Sequence, residues 1–219
     1  MLFRLFAAGL IVFGGWQIGQ GAYLLAKAEL AQWLLEQAWG YQIAQTAYQK
    51  KQPAPQKVSP WPWADTWPVA KLHWPQYHQE LIIVEGGSGR NLAFAPAHLS
   101  ATVMPGEQGV SVIGGHRDTH FNFLQFVAVG DIFSIETVNG EIHQFQVTDI
   151  VIADVRESKI ALDASQAKIA LVACYPFNDW QAGGPLRYLV SADSIGTEKI
   201  KKDEWVPSKS NNLLTKMIF

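Results

Sequence analysis

Five prolines, Pro53, Pro55, Pro60, Pro62 and Pro68, fall within sixteen residues and divide the chain into two parts that must fold differently. A proline ring removes a backbone donor and clashes with the preceding turn, so no regular helix runs through this stretch. It is predicted to be an extended linker. Before it, Ala28 to Tyr48 contains no proline and is rich in Ala, Leu, Gln and Glu, the composition of a helix. After it, short apolar runs separated by glycines take over, the pattern of strands.

The N-terminal end carries a second constraint. Leu5 to Ala26 is a run of 22 residues without a charge. As a helix it would be roughly 33 Å long, enough to cross a hydrocarbon core of about 30 Å. Arg4 precedes it and Lys27 follows. A short basic N-terminus stays in the cytoplasm, so the bulk of the chain is expected outside. This predicts an N-terminal transmembrane helix. A removable signal peptide, cut near Ala26-Lys27-Ala28, is the competing reading.

The strand region begins, on this pattern, at Leu81. Leu81–Val84 leads into a Gly86-Gly87-Ser88-Gly89 turn. Ser111–Ile113 and Asp131–Val138 follow. Asn139-Gly140 is a strong hairpin signal joining Asp131–Val138 to Glu141–Ile152. Ile169–Ala173 is a continuous apolar run, as in a buried strand, and Arg187–Ser191 is another strand. Many strands with few helical patterns indicate a mainly β fold, a barrel or a sandwich. Trp61, Trp63, Trp67 and Trp74 crowd the end of the linker. They suit a membrane-surface anchor or, preferably, a clamp holding the linker on the domain core. From Glu198 to Phe219 a peripheral tail is expected.

Charged residues are 16% of the chain, against about 25% for an ordinary soluble domain. The net charge of −2 offers no basic field for nucleic acid. There is one cysteine, so an internal disulfide and a multi-thiolate zinc site are both excluded.

That cysteine, Cys174, ends the apolar run and opens a loop, a place where scaffolds display reactive groups. His116 also follows a short apolar strand, in Gly114-Gly115-His116-Arg117-Asp118-Thr119-His120. A free thiol titrates near pH 8.5, so little thiolate exists at neutral pH unless a cation is close. An imidazolium supplies one, and returns a proton to a leaving amine. Arg187 starts the next strand, where a fixed guanidinium can hold an oxyanion or a substrate carbonyl. His120 is the rival base. Asp118 either orients His116, pairs with Arg117 or caps the turn. His98 reads as a loop residue.

Ile113-Gly114-Gly115-His116-Arg117-Asp118-Thr119, then Ala170-Leu171-Val172-Ala173-Cys174, then Arg187, resembles the sortase pattern: a GH-type histidine, a TLxTC-type cysteine and an arginine on the next strand. Pro96-Ala97-His98-Leu99 and Met104-Pro105-Gly106-Glu107 resemble the loop leading to the histidine strand of that family. Pro60 to Pro68, with the Cys174-Tyr175-Pro176-Phe177 context, is similar to its Gram-negative group. The resemblance implies a closed sortase β-barrel with short helices behind the N-terminal transmembrane helix. It implies an anchor or signal-anchor at residues 1–27, a helical stem and Pro-rich linker at 28–58, the catalytic domain at 59–196 and a tail at 197–219.

The resemblance further implies a cysteine transpeptidase in the inner membrane, facing the periplasm. Cys174 would attack the Thr–Gly carbonyl of an LPxTG-like sorting signal, His116 would protonate the leaving amine, and Arg187 would hold the substrate and the oxyanion. An amine acceptor would then release the thioester. No metal and no cofactor are implied. Asp118, His120 and Ala173 stand as substrate-binding or orienting positions. Both threonines of the motif are replaced here, by Ala170 and Ala173. A cell-wall L,D-transpeptidase is a poor match, since Val172 and Ala173 break its Ser-x-Gly-Cys element. A non-catalytic, membrane-tethered β-domain with a buried Cys174 is the remaining rival.

Overall fold

The computed structural model describes residues 2–48, 57–162, 165–179 and 183–199. A long helix, α1 (Leu2–Tyr48), precedes eight strands. These are β1 (Pro68–Trp74), β2 (Gln79–Glu85), β3 (Ala97–His98), β4 (Gly109–Gly115), β5 (Ile132–Thr137), β6 (Glu141–Asp154), β7 (Ala167–Cys174) and β8 (Leu186–Lys199). A one-turn helix, α2 (Gly89–Leu92), lies between β2 and β3. The strands close into a barrel in the order β1-β2-β3-β4-β7-β8-β6-β5, so the barrel, not the sandwich, is the fold. Closure pairs every strand with two neighbours and removes the open edge that would invite aggregation.

The interior is lined by one side of each strand, as the two-residue period of a strand demands. Trp74, Phe133 and Phe145 stack at its centre, with ring centroids 4.5 and 5.6 Å apart. Ile113, Phe121, Leu171 and Val190, each 0% exposed, pack beside them. Asn139-Gly140 makes the expected hairpin, with Gly140 at φ +72° and β5 and β6 paired from Glu136–Ile142 to Ile132–Gln146.

Several expectations need correcting. The barrel opens one strand before Leu81, with β1, whose first residue is Pro68. A strand accepts proline at that position, because no ladder donor is lost there. His98 is not a loop residue. It belongs to β3 and is 1% exposed, its Nδ1 2.8 Å from Glu85 Oε2 and its Nε2 donating to the Val103 carbonyl at 2.9 Å. β8 runs through Lys199, which pairs with Glu141, so Thr197, Glu198 and Lys199 are barrel residues. The rest of the expected tail, 200–219, lies outside the described residues, as do Pro53 and Pro55 of the linker.

Three of the four linker tryptophans pack on the domain. Trp74 is core, Trp67 leans on that core, and Trp61 meets Phe94 edge-on at 5.1 Å. Trp63 is 79% exposed. The far half of α1 packs on the barrel through Ala31, Leu35, Ala38 and Trp39, with Leu35 and Trp39 set against Ile82, Val84 and Ala97. That spacing is one helical face. The near half leaves Phe6, Ile11, Phe13, Trp16 and Ile18 exposed. Its glycines, with Gln17 and Gln20, thin the apolar side chains. Among the described residues no helix is long and apolar enough to cross a membrane.

The β1–β2 end is locked to the turn before β5 by Tyr77, whose hydroxyl lies 2.6 Å from Asp131 Oδ2 and 2.9 Å from the Phe126 carbonyl. Burial, with the hydrogen bond to Asp131 and its charge, raises the Tyr77 pKa to about 12. Asp131 is pushed up by burial, but the Tyr77 hydroxyl, the Ala128 amide and Gln76 outweigh this and leave it below the usual carboxylate range. The Asp131 shift favours the folded state above roughly pH 4 and is lost as pH falls; the Tyr77 shift favours it below roughly pH 10 and is lost as pH rises towards 12. Tyr77→Phe is therefore expected to lose about 1–2 kcal/mol at pH 7. The deficit should shrink below about pH 4, as Asp131 protonates, and again above about pH 10. Urea midpoints across pH 3 to 11 test this; a deficit independent of pH would remove the lock.

Candidate active site

The site is set by how three strands pair. β4 and β7 run parallel, in register from Gly109↔Ala167 to Gly115↔Ala173. One step beyond that last pair stand His116 and Cys174. On its other side β7 pairs antiparallel with β8, and Cys174 faces Arg187 directly. Directly opposed residues project from the same side of a sheet. Cys174 and Arg187 thus share one side of the sheet, and His116 follows the last residue of β4 at the strand end beside Cys174.

Alternation along β7 separates the chemistry from the core. Ile169, Leu171 and Ala173 point into the barrel and are at most 1% exposed. Ala170, Val172 and Cys174 project from the other side, where Val110, Val112 and Leu189 join Ala170 and Val172 in a separate apolar cluster. The two departures from the motif are therefore not equivalent. Ala170 lies on the Cys174 side, while Ala173 belongs to the core and has no surface to offer a substrate.

Cys174 is a free, half-buried thiol. His116 is exposed, and its carbonyl accepts from the Thr119 and Phe121 amides at 3.4 and 3.0 Å. These bonds curl the chain into a tight turn immediately after β4. Gly115 allows the turn to sit where it does: a Cβ there would lie 2.6 Å from Cδ2 of the buried Phe121. Arg187 is half-buried, and its Nη1 donates to the carbonyls of Gly184 and Leu186 at 2.6 and 2.9 Å. Those bonds hold the guanidinium at the mouth of β8.

Asp118 pairs with Arg117, its Oδ1 3.3 Å from Nε, the second of the three roles left open for it. His120 is half-buried, with Nδ1 3.3 Å from Thr119 Oγ1. Burial and then the neighbouring His116 push its pKa down, against the Phe94 carbonyl, which holds it up. Below about pH 6.5 this imidazole therefore works against the folded state. Arg117 is the residue that the sequence did not single out. Its side chain is only 5% exposed, and Nη2 donates to the Asp179 carbonyl at 2.5 Å. A cation straight after the candidate histidine was the one available signal, and nothing in the sequence says that it turns inward. Among the described residues no group of three His, Cys, Asp or Glu side chains is arranged to hold a metal.

A sortase domain model matches residues 72–195, more than half of the 219 residues. The chain is 32% identical over 120 residues to Sortase D of Bacillus subtilis (strain 168), covering 54% of this chain and 60% of that protein. The fold is similar to that of a Clostridium perfringens sortase D5 transpeptidase, with a TM-score of 0.58 at 20% identity over 77% of this chain and 99% of the other. Sortase A from Corynebacterium diphtheriae superposes with a TM-score of 0.56 at 24% identity, over 79% and 87% of the two chains.

Substitution separates the two glycines before His116. Gly115→Ala is expected to destabilise the barrel by about 1–3 kcal/mol, because the Phe121 ring has no room to withdraw. Gly114→Ala should lose less than about 1 kcal/mol, since its Cβ would meet Leu99 at 3.6 Å, an ordinary contact. Equal urea midpoints for the two variants would show that Phe121 does not fix the turn.

Proposed function

The chain belongs to the sortase family, and on that footing we propose that it is a cysteine transpeptidase acting on an LPxTG-like sorting signal. The observation that supports this is the pair of strand registers: β7–β8 sets Cys174 opposite Arg187, and β4–β7 ends one residue before both His116 and Cys174. The Cys174 thiolate attacks the carbonyl carbon of the Thr–Gly bond. The carbonyl electrons move onto oxygen, where Arg187 holds the charge. As the intermediate collapses the C–N bond breaks, His116 gives its proton to the leaving amine, and a thioester to Cys174 remains. An acceptor amine then attacks the thioester, gives a proton to His116, and the thiolate departs. Val172 and Leu189, the partly buried members of the apolar cluster on the Cys174 side, are the surface we assign to a signal that begins with Leu and Pro.

Intact mass after incubation with an LPxTG-type peptide tests the chemistry. A thioester adduct on Cys174 is expected, discharged to a ligated product by a small amine. Cys174→Ala should form none, and Arg187→Lys, which lacks the planar fork, should turn over about 10²-fold more slowly. Full turnover by the Cys174→Ala protein would end the assignment. A thiol that resists alkylation in the folded protein would favour a non-catalytic binding domain.

We further propose that Leu5–Ala26 anchors the enzyme in the inner membrane with the barrel in the periplasm, as in the Gram-negative group. Support comes from the uncharged run, from the large apolar side chains exposed along the near half of α1, and from the Trp- and Pro-rich stretch before β1. An uncharged segment that exposes large apolar side chains suits lipid better than water. An anchored enzyme would also meet an anchored substrate at raised effective concentration. The full chain is expected to stay in the membrane pellet through an alkaline carbonate wash, and to be reached by added protease only once the outer membrane is opened. Recovery in the soluble fraction would remove the anchor.

A further inference from the structure

The β4–β7 ladder ends at Gly115↔Ala173. His116 lies one residue past it, at the start of a loop, and Cys174, the last residue of β7, opens another. A displacement of about 1 Å between reacting groups can reduce a rate about 10²-fold. Their spacing beyond the ladder therefore calls for a tie, and Arg117 is built as one. It follows His116 in the turn after β4, and its side chain is buried where that of His116 is exposed. A guanidinium that is 5% exposed is unfavourable unless its donors are satisfied. Nη2 donates at 2.5 Å to the carbonyl of Asp179, five residues beyond Cys174, and Nε lies 3.3 Å from Asp118 Oδ1 in its own turn. One planar cation thus spans from the loop that carries His116 to the loop that Cys174 opens. At its near end the second loop is held to β8, where the Tyr175 amide donates to the Leu186 carbonyl at 3.1 Å. Phe177 leans on the barrel core from the same loop.

We propose that Arg117 is a positioning residue that sets the separation of His116 and Cys174 by tying their loops together. This rests on the transpeptidase reading above. In this role Arg117 acts through the placement of His116 and Cys174 and not on the reacting atoms. The position calls for Arg more than Lys, because a fork reaches two acceptors in fixed directions and an ammonium does not.

Arg117→Gln and Arg117→Lys, made in the full chain, test it by two readouts. Turnover of an LPxTG-type peptide should fall about 10- to 100-fold in kcat for Arg117→Gln, with KM changed less than about twofold. Arg117→Lys should recover part of that loss. Hydrogen exchange should show the Tyr175 amide and the rest of 175–179 exchanging faster in Arg117→Gln, with β4 and β7 as protected as in the wild type. Wild-type kcat in Arg117→Gln overturns the proposal, and so does a loss carried by KM. If only one variant folds, that one decides by the same criteria. If neither folds, Arg117 is a stability residue and the proposal falls. Faster exchange in the loop of Arg117→Gln, in a protein whose wild type forms no thioester, leaves the tie standing and removes the transpeptidase reading instead.

Discussion

The parallel pairing of β4 with β7 is the contact on which the rest of the molecule depends. Parallel neighbours cannot be joined by a tight turn. Residues 116–166 must therefore leave β4, travel round the barrel and return, and the β5–β6 hairpin is the structure built on that path. The same pairing sets the phase of every side chain. A shift of one residue would send Leu171 and Ala173 to the surface and Cys174 into the core. The alternation that fills the barrel with Ile113, Leu171 and Val190 is thus also what sets Cys174 outside it. Core packing and the candidate chemistry are two sides of one register.

Much of this was legible in the sequence where local chemistry decides. Asn139-Gly140 announces its hairpin because few dipeptides adopt positive φ readily. The apolar run before Cys174 announces a buried strand. The strand pattern alone left barrel against sandwich open, since both read as short alternating strands, and the closed barrel came from the sortase resemblance; closure depends on β1 pairing with β5, a contact distant in sequence. β1 itself was hidden because Pro68 and the flanking tryptophans look like linker. His98 was hidden for another reason. A histidine beside small residues reads as surface, and only the fold brings Glu85 and the Val103 carbonyl to its two ring nitrogens.

The candidate site divides along the same line. Cys174 and Arg187 were readable as a pair, because a strand, a loop and a strand is a local arrangement. His116 came from its motif, and the parallel ladder supplies the physical reason that it lies beside a residue 58 positions away. Ala173 shows the limit of motif reading. Adjacent to the nucleophile in sequence, it belongs to the opposite side of the sheet. Arg117 shows the converse, since its neighbour His116 is exposed while its own side chain is turned inward to reach Asp179.

The long helix adds a constraint of a different kind. α1 is continuous for 47 residues, about 70 Å at the usual rise. Its far half is fixed to the barrel wall by Leu35 and Trp39, by Glu36 3.4 Å from Lys71, and by Gln32, which donates to the Phe94 carbonyl at 2.5 Å. That carbonyl also acts on His120, four residues from His116. The stem therefore docks on the side of the barrel from which the histidine loop emerges. Because helix and barrel share a packed face, the near half of α1 is coupled to the barrel by more than the linker. Whatever surface that near half occupies, the height and tilt of the His116–Cys174–Arg187 site above it follow from the docking of residues 31–42, and shortening the linker alone would not change them.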